Sequence, residues 1–292
     1  MREHLERIFR AGVAACAPER VLPPHLPPRP PGRTVVLAIG KAAAAMAAVA
    51  EQRMEGPLSG LAVIPHATEA RLRRIEAVTA AHPVPDEASV QAALRLLGLA
   101  REAGAGDLVL VLLSGGASSL TCLPGEGLAL AEKQALTAAL LRTGASIGEI
   151  NAVRRHLSLM KGGRLALAAA PARLLTLAIS DVAGDCPEDI GSGPTVADPT
   201  TVTDARALMA KYDIPPPAEG WSETPKQVAG EFRIVARGAD ALAAAAAEAR
   251  RLDWNPVLLG ECTADATETG RAHARLALAA APGTALISGG EL

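Results

Sequence analysis

Six consecutive apolar residues, Leu108 to Leu113, run straight into Ser114-Gly115-Gly116-Ala117-Ser118-Ser119. A run without polar interruption marks a strand covered on both faces, and such strands sit inside parallel sheets. The glycines and hydroxyls that follow it stand at a carboxyl strand end, where open α/β sheets bind ligands. The rest of the chain must therefore supply parallel neighbours and crossover helices.

It does so in order. Thr34–Ile39 reads as a second buried strand, followed by Gly40-Lys41 and an Ala-rich helix to about Arg53. Short strands at Leu61–Ile64 and Ala77–Ala80 lead to His82-Pro83-Val84-Pro85-Asp86, with Asp86 as N-cap of a helix to about Glu102. Helices are predicted at Leu130–Arg142 and after the capping box Ser146-Ile147-Gly148-Glu149. Leu174–Ser180 is a strand that opens into a long loop, Asp181 to Thr200. Strands at Phe232–Ala236, Pro256–Leu259 and Thr284–Ser288 then alternate with helices at 239–251 and 265–280. The class is α/β: a doubly wound, mostly parallel, Rossmann-like sheet flanked by helices. At the amino end, residues 2–16 are helical in pattern, with Leu5, Ile8, Phe9 and Val13 on one face. The stretch Pro18 to Pro31 carries seven prolines and is expected to be extended or looped.

Composition narrows the function. The net charge of −2 and the 2% aromatic content leave neither a basic track for phosphates nor platforms for bases, which disfavours nucleic acid. Cys16, Cys122, Cys186 and Cys262 lie far apart with no C-x-x-C pair, as in a reducing compartment. Val13-Ala14-Ala15-Cys16 imitates a lipoprotein cleavage box, but no apolar leader precedes it. No apolar run approaches membrane-spanning length. A cytoplasmic protein is expected.

Three strand ends carry residues able to do chemistry. In the 114–119 run, Gly115 and Gly116 bare the backbone while Ser114 and Ser118 add hydroxyls, which suits an anion at a helix start. A tight turn needing positive φ would use the same glycines. Lys41 stands at the start of a helix, where a cation gains nothing from the dipole. Holding phosphate oxygens is one reason for it, and a solvated lysine is the other. The Asp181–Thr200 loop holds Asp181, Asp185, Glu188 and Asp189 among glycines, with Ser192-Gly193 beyond. Asp181, rigidly placed by a buried strand, can take a hydroxyl proton or hold Mg²⁺, and Asp185 can share the metal. Asx turns and caps are the plainer reading.

Between these lies Asn151-Ala152-Val153-Arg154-Arg155-His156-Leu157-Ser158-Leu159-Met160-Lys161-Gly162-Gly163-Arg164, basic and broken by glycines. Its cations serve either an anionic ligand or a solvated face. Standard motifs are missing. A P-loop needs Gly where Val35 stands and Ser or Thr where Ala42 stands, only Gly40 remains of a dinucleotide fingerprint, and there is no G-x-S-x-G elbow.

The blocks Ala38-Ile39-Gly40-Lys41-Ala42-Ala43, His82-Pro83-Val84-Pro85-Asp86, Leu113-Ser114-Gly115-Gly116, Asn151 to Arg164, Ser180-Asp181-Val182 with Gly184-Asp185, and Ser192-Gly193-Pro194-Thr195 with Asp198-Pro199-Thr200-Thr201 occur in this order. In that order they resemble the class II glycerate 2-kinases, the MOFRL family. The likeness extends from about residue 4 to the end. Ala117 replaces a usual third glycine, and Ala183 a usual proline.

The resemblance implies an ATP- and Mg²⁺-dependent transfer of phosphate to the 2-hydroxyl of D-glycerate. It implies Lys41 and Asp181 as catalytic residues, with Asp181 and Asp185 towards the metal. Phosphates fall to Ser114, Gly115, Gly116, Ser118, Ser192 and Gly193, and the glycerate carboxylate to Arg154 and Lys161, a choice made on charge. The family's other label, hydroxypyruvate reductase, lacks its dinucleotide fingerprint here. A third alternative is a non-catalytic module that still binds nucleotide or anion.

Residues 1–240 are expected to form the amino-terminal kinase domain. Residues 241–292 form a connecting βα segment and the truncated start of the carboxyl-terminal domain, opened by Ser288-Gly289-Gly290-Glu291. The remainder would be an α/β domain of roughly a hundred residues carrying a catalytic arginine. Without it, the strand Thr284–Ser288 is expected to have no neighbour and to be an exposed edge. A homo-oligomer is left open.

Overall fold

The computed structural model describes residues 1–290. Its elements begin with α1 (Arg2–Ala15), α2 (Pro18–Val21), β1 (Thr34–Ile39), α3 (Ala43–Arg53), β2 (Leu58–Pro65), β3 (Ile75–Ala80) and α4 (Glu87–Arg101). They continue through β4 (Leu108–Leu113), α5 (Ala117–Leu120), α6 (Leu130–Arg142), α7 (Ile147–His156), α8 (Arg164–Ala169) and β5 (Arg173–Ile179). The last are α9 (Val202–Lys211), β6 (Glu231–Ala236), α10 (Gly238–Arg251), β7 (Asn255–Glu261), α11 (Ala266–Ala279) and β8 (Thr284–Gly289).

Strands β1 to β6 form one sheet in the order β3-β2-β1-β4-β5-β6, with every neighbouring pair parallel. The chain winds outward from β1 in one direction and from β4 in the other. The switch point therefore falls between β1 and β4, and a crevice opens at their carboxyl ends. Every residue of these two strands is buried. Val35, Leu37, Ile39, Val109, Val111 and Leu113 face one core, closed by Leu96 and Leu97 of α4 and Leu165 of α8. Val36, Ala38, Leu108, Leu110 and Leu112 face the other, closed by Met46, Ala47 and Ala50 of α3. Each fully buried Leu or Val contributes about 1.5–3 kcal/mol relative to exposure, so the switch point rests on the most strongly held part of the molecule.

A helical layer lies to one side. Leu140 of α6, Ile150 and Val153 of α7, and Ala205 and Met209 of α9 share a separate core. This layer carries the basic 151–164 segment. The α9 helix starts on a capping box, Thr201 with Asp204, a signal present in the sequence but masked by the loop character of what precedes it.

Two expectations are corrected. The strand Thr284–Ser288 has a neighbour: β8 pairs in parallel with β7 as a two-stranded sheet apart from the first. Its Ala285 and Ile287 pack with Ile8 of α1 and Ala245 and Ala249 of α10, so apolar burial holds it. The proline-rich stretch contains α2 and a turn of 3₁₀ helix, Pro23–His25. Proline fits the first turn of a helix, where no N–H is needed, and Leu22 between the two is fully buried. Of the segment Ser288–Glu291, Glu291 lies outside the described residues, as does Leu292. No helix among the described residues is long and apolar enough to cross a membrane.

Candidate active site

The crevice is built by two turns stitched together. The Ser114 hydroxyl, nearly buried, accepts from Ala42 N at 3.0 Å, and Lys41 N donates to the Gly115 carbonyl at 2.8 Å. Gly40 has a φ of +129°, and a β-carbon on it would stand 2.2 Å from Ser114 Oγ. Glycine is required there for both reasons.

Three side chains converge over Gly115 and Gly116. A β-carbon on Gly115 would meet Asp181 Oδ2 at 2.1 Å. One on Gly116 would meet His82 Cδ2 at 2.7 Å and Lys41 Cε at 3.4 Å. Asp181 leaves the end of β5 and Lys41 the end of β1, and both are exposed to a cleft of about 920 Å³. The opposite wall of that cleft comes from α1, α10 and β8, with Arg237 and Ser288 among its residues. A cleft of several hundred Å³ has room for a nucleotide-sized ligand.

Behind the glycines runs a polar chain. Lys161 Nζ donates to the Ser118 carbonyl at 2.7 Å and to its Oγ at 2.8 Å. Ser118 Oγ then donates to Ser192 Oγ (2.9 Å), and Ser192 Oγ donates to Asn151 Oδ1 (3.0 Å). Asn151 Nδ2 donates to Asp189 Oδ1 at 3.0 Å. Ser192 is fully buried, and its carbonyl and that of Gly193 accept from Gly162 N and Gly163 N. Ser192 and Gly193 thus anchor the 162–163 turn to the Ser118 turn, one layer behind the crevice.

The basic segment divides. Arg155 pairs with Asp198 at 3.0 Å, and His156 lies between the Ser222 carbonyl and Thr200 Oγ1. Burial lowers the pKa of this imidazole. Arg164 donates to the carbonyls of Arg155, Lys161 and Ser222. These three basic side chains hold loops. Arg154 and Lys161 turn the other way, into a small cavity of about 40 Å³ that Ser118, Cys122 and Lys133 also line. Adjacent positions on a helix diverge by about 100°, which is why Arg154 and Arg155 part company. Burial holds the Lys161 ammonium well below the ordinary lysine range, and the nearby charges of Arg154 and Lys133 add to the effect.

Asp185 is placed elsewhere. Its Oδ2 pairs with Arg237 Nε at 3.2 Å, so its carboxylate is directed to the cleft's second wall. No group of three His, Cys, Asp or Glu side chains suited to a metal occurs among the described residues. Mg²⁺ needs only one or two carboxylates when substrate phosphates supply the rest. Asp181, exposed in the cleft, fits that lesser role.

Residues 4–220 match the model of a family described as a domain of unknown function, DUF4147. Over 99% of its length the chain is 46% identical to a protein of Agrobacterium vitis named putative hydroxypyruvate reductase, spanning 70% of that relative. It is 42% identical to the D-glycerate 2-kinase of Thermotoga maritima over 71% of this chain and 50% of that one. The crystal structure of glycerate kinase from Thermotoga maritima superposes with a TM-score of 0.82 at 34% identity, covering 99% of this chain and 73% of that one. The chain belongs to the class II glycerate kinase family.

Two residues of this family member's site carried no role in the sequence reading. His82 opens the His82–Asp86 block, yet nothing local places it over Gly116. Lys133 sits inside an ordinary amphipathic helix pattern, and only packing shows that it is buried.

Proposed function

We propose that this chain transfers the γ-phosphoryl group of ATP to the 2-hydroxyl of D-glycerate, giving 2-phosphoglycerate and ADP. The observation that carries this is the convergence of Lys41 and Asp181 over Gly115 and Gly116, at the switch point of the sheet. Asp181 accepts the proton of the attacking hydroxyl as the new O–P bond forms and the bond to the ADP oxygen breaks. Lys41 stabilises the charge spread over the transferring oxygens. The Gly115-Gly116 turn, with Ser114 and Ser118 positioning its backbone, faces the phosphates, and Ser192 and Gly193 brace it from behind. Arg154 and Lys161 receive the substrate carboxylate. Mg²⁺, when bound with ATP, would neutralise phosphate charge and take Asp181 as its protein ligand, joined by Asp185 when Arg237 releases it.

In this reading residues 1–240 act as the kinase domain and residues 241–292 begin a second unit, with α1 crossing over to pack on α10. The protein works in the cytoplasm. Hydroxypyruvate reduction is disfavoured, because the first strand-to-helix turn carries Gly40-Lys41 in place of a dinucleotide cradle.

The test is ATP-dependent turnover of D-glycerate, coupled to enolase and pyruvate kinase with no phosphoglycerate mutase. Signal abolished by Asp181→Asn supports the kinase. NADH oxidation by hydroxypyruvate without ATP turnover would replace it with the reductase, and calorimetric nucleotide binding without either activity with a binding module.

A further inference from the structure

Among the described residues, the cavity behind Ser118 is lined by three basic side chains and no carboxylate. Lys133 and Lys161 are almost completely buried, at 3% and 1% exposure. No ion pair among the described residues includes either lysine or Arg154. The nearby acids are engaged elsewhere: Asp189 accepts from Asn151, and Asp198 pairs with Arg155. Protein acceptors answer the cations only in part. Lys133 Nζ donates to the Leu157 carbonyl, Arg154 Nη1 to Asn151 Oδ1 at 3.3 Å, and Lys161 Nζ to Ser118 alone. An ammonium has three N–H donors and a guanidinium five, so each retains donors for a ligand.

Converging like charges away from water is unfavourable unless an anion joins them. We infer that Lys133 is a third binding residue for the substrate's carboxylate: the cavity lined by Lys133, Arg154 and Lys161 takes one small carboxylate anion. The identity of that anion as D-glycerate rests on the kinase reading, whereas its charge and size do not. Placement agrees. Pro83 and Pro85 wall the cavity, and Gln134, one residue beyond Lys133, donates to the Pro85 carbonyl at 2.6 Å. The same segment carries His82 to its place over Gly116 beside Lys41. Ser118 forms another wall two residues past Gly116.

The experiment is calorimetric titration of the whole chain with D-glycerate and with its neutral amide, glyceramide, for the wild type, Lys133→Met and Lys133→Gln. The wild type is expected to bind D-glycerate and not glyceramide. Lys133→Met should weaken D-glycerate binding by about tenfold or more, the scale of one lost charge-assisted hydrogen bond, and leave ATP binding unchanged. In turnover it should raise KM for D-glycerate and leave kcat nearly constant. Thermal unfolding checks each variant, and Lys133→Gln, which keeps N–H donors at similar size, is read in its place if the Met variant does not fold. Unchanged D-glycerate affinity in the folded variant overturns the inference, as does equal binding of glyceramide. Turnover by the wild type with that result leaves the kinase reading standing. Charge-dependent binding without turnover does the reverse.

Discussion

The carboxylate of Asp181 lies against the α-carbon of Gly115, so close that a β-carbon there would stand 2.1 Å from Oδ2. Gly115 is not among the glycines with left-handed backbone. Alanine at 115 is therefore acceptable to the chain and unacceptable only to Asp181. Gly115→Ala should lower kcat by about 100-fold, as misplacement by an ångström does, with little change in the unfolding midpoint. Steady-state kinetics beside thermal unfolding tests this, and an unchanged kcat would remove Asp181 from the chemistry.

Lys41 is exposed at the mouth of the crevice. Lys41→Met should lower kcat by roughly 10²–10³, the usual loss for a group that stabilises transition-state charge. KM for D-glycerate should hardly move. A loss confined to KM would reassign Lys41 to ground-state binding.

Lys133 gives the chain a signature at alkaline pH. Burial draws its pKa down to about 8, with Cys122 pulling it up and the charges of Arg154 and Arg164 pushing it further down. Unfolded, it would titrate near the ordinary lysine value of 10.5. Between these values the unfolded chain binds the extra proton, so this residue's contribution to stability rises with pH from about 8. Denaturant titrations at stepped pH should show that slope in the wild type, and a flatter one in Lys133→Met.

Asp86 caps α4 and receives the N–H groups of Ser89 and Ala81 and the His66 ring. Partial burial raises its pKa, but these hydrogen bonds outweigh it and hold the carboxyl at about 2. The folded value lies below the unfolded one, so the stabilisation is present above the unfolded pKa and lost as pH falls through about 2. Asp86→Ala should cost about 1 kcal/mol at neutral pH, and Asp86→Asn less. Urea unfolding at pH 7 and pH 3 measures both effects.

Leu110 is fully buried in the middle of β4. Leu110→Ala should cost about 2–5 kcal/mol and reduce activity only through the folded fraction, as parallel urea and activity curves would show.

The strands and the site's strand ends were legible because their signals are local. An unbroken apolar run such as Leu108–Leu113 can be satisfied only inside a sheet, and the glycines after it name the turn. Lys41, Ser114 and Asp181 could be suspected for the same reason, since each directly follows a buried strand. The α9 helix is harder to read from sequence, because its capping box follows a loop rich in the same residue types.

Roles within the site were another matter. Arg154 and Arg155 are neighbours of one charge, yet α7 turns one to the cavity and the other to Asp198. Ser192 and Ser118 read alike as phosphate donors, but burial makes Ser192 a bridge to Asn151. Periodicity and turn chemistry, which depend on residues a few places apart, determined most of the strands and helices and the mostly parallel class of the sheet from sequence alone. Which cations share a cavity, that Asp185 pairs with Arg237, and that Lys133 is buried beside Arg154 were decided only by tertiary packing. Electrostatic roles depend on distance through space and on removal of water, and neither is written in chain spacing.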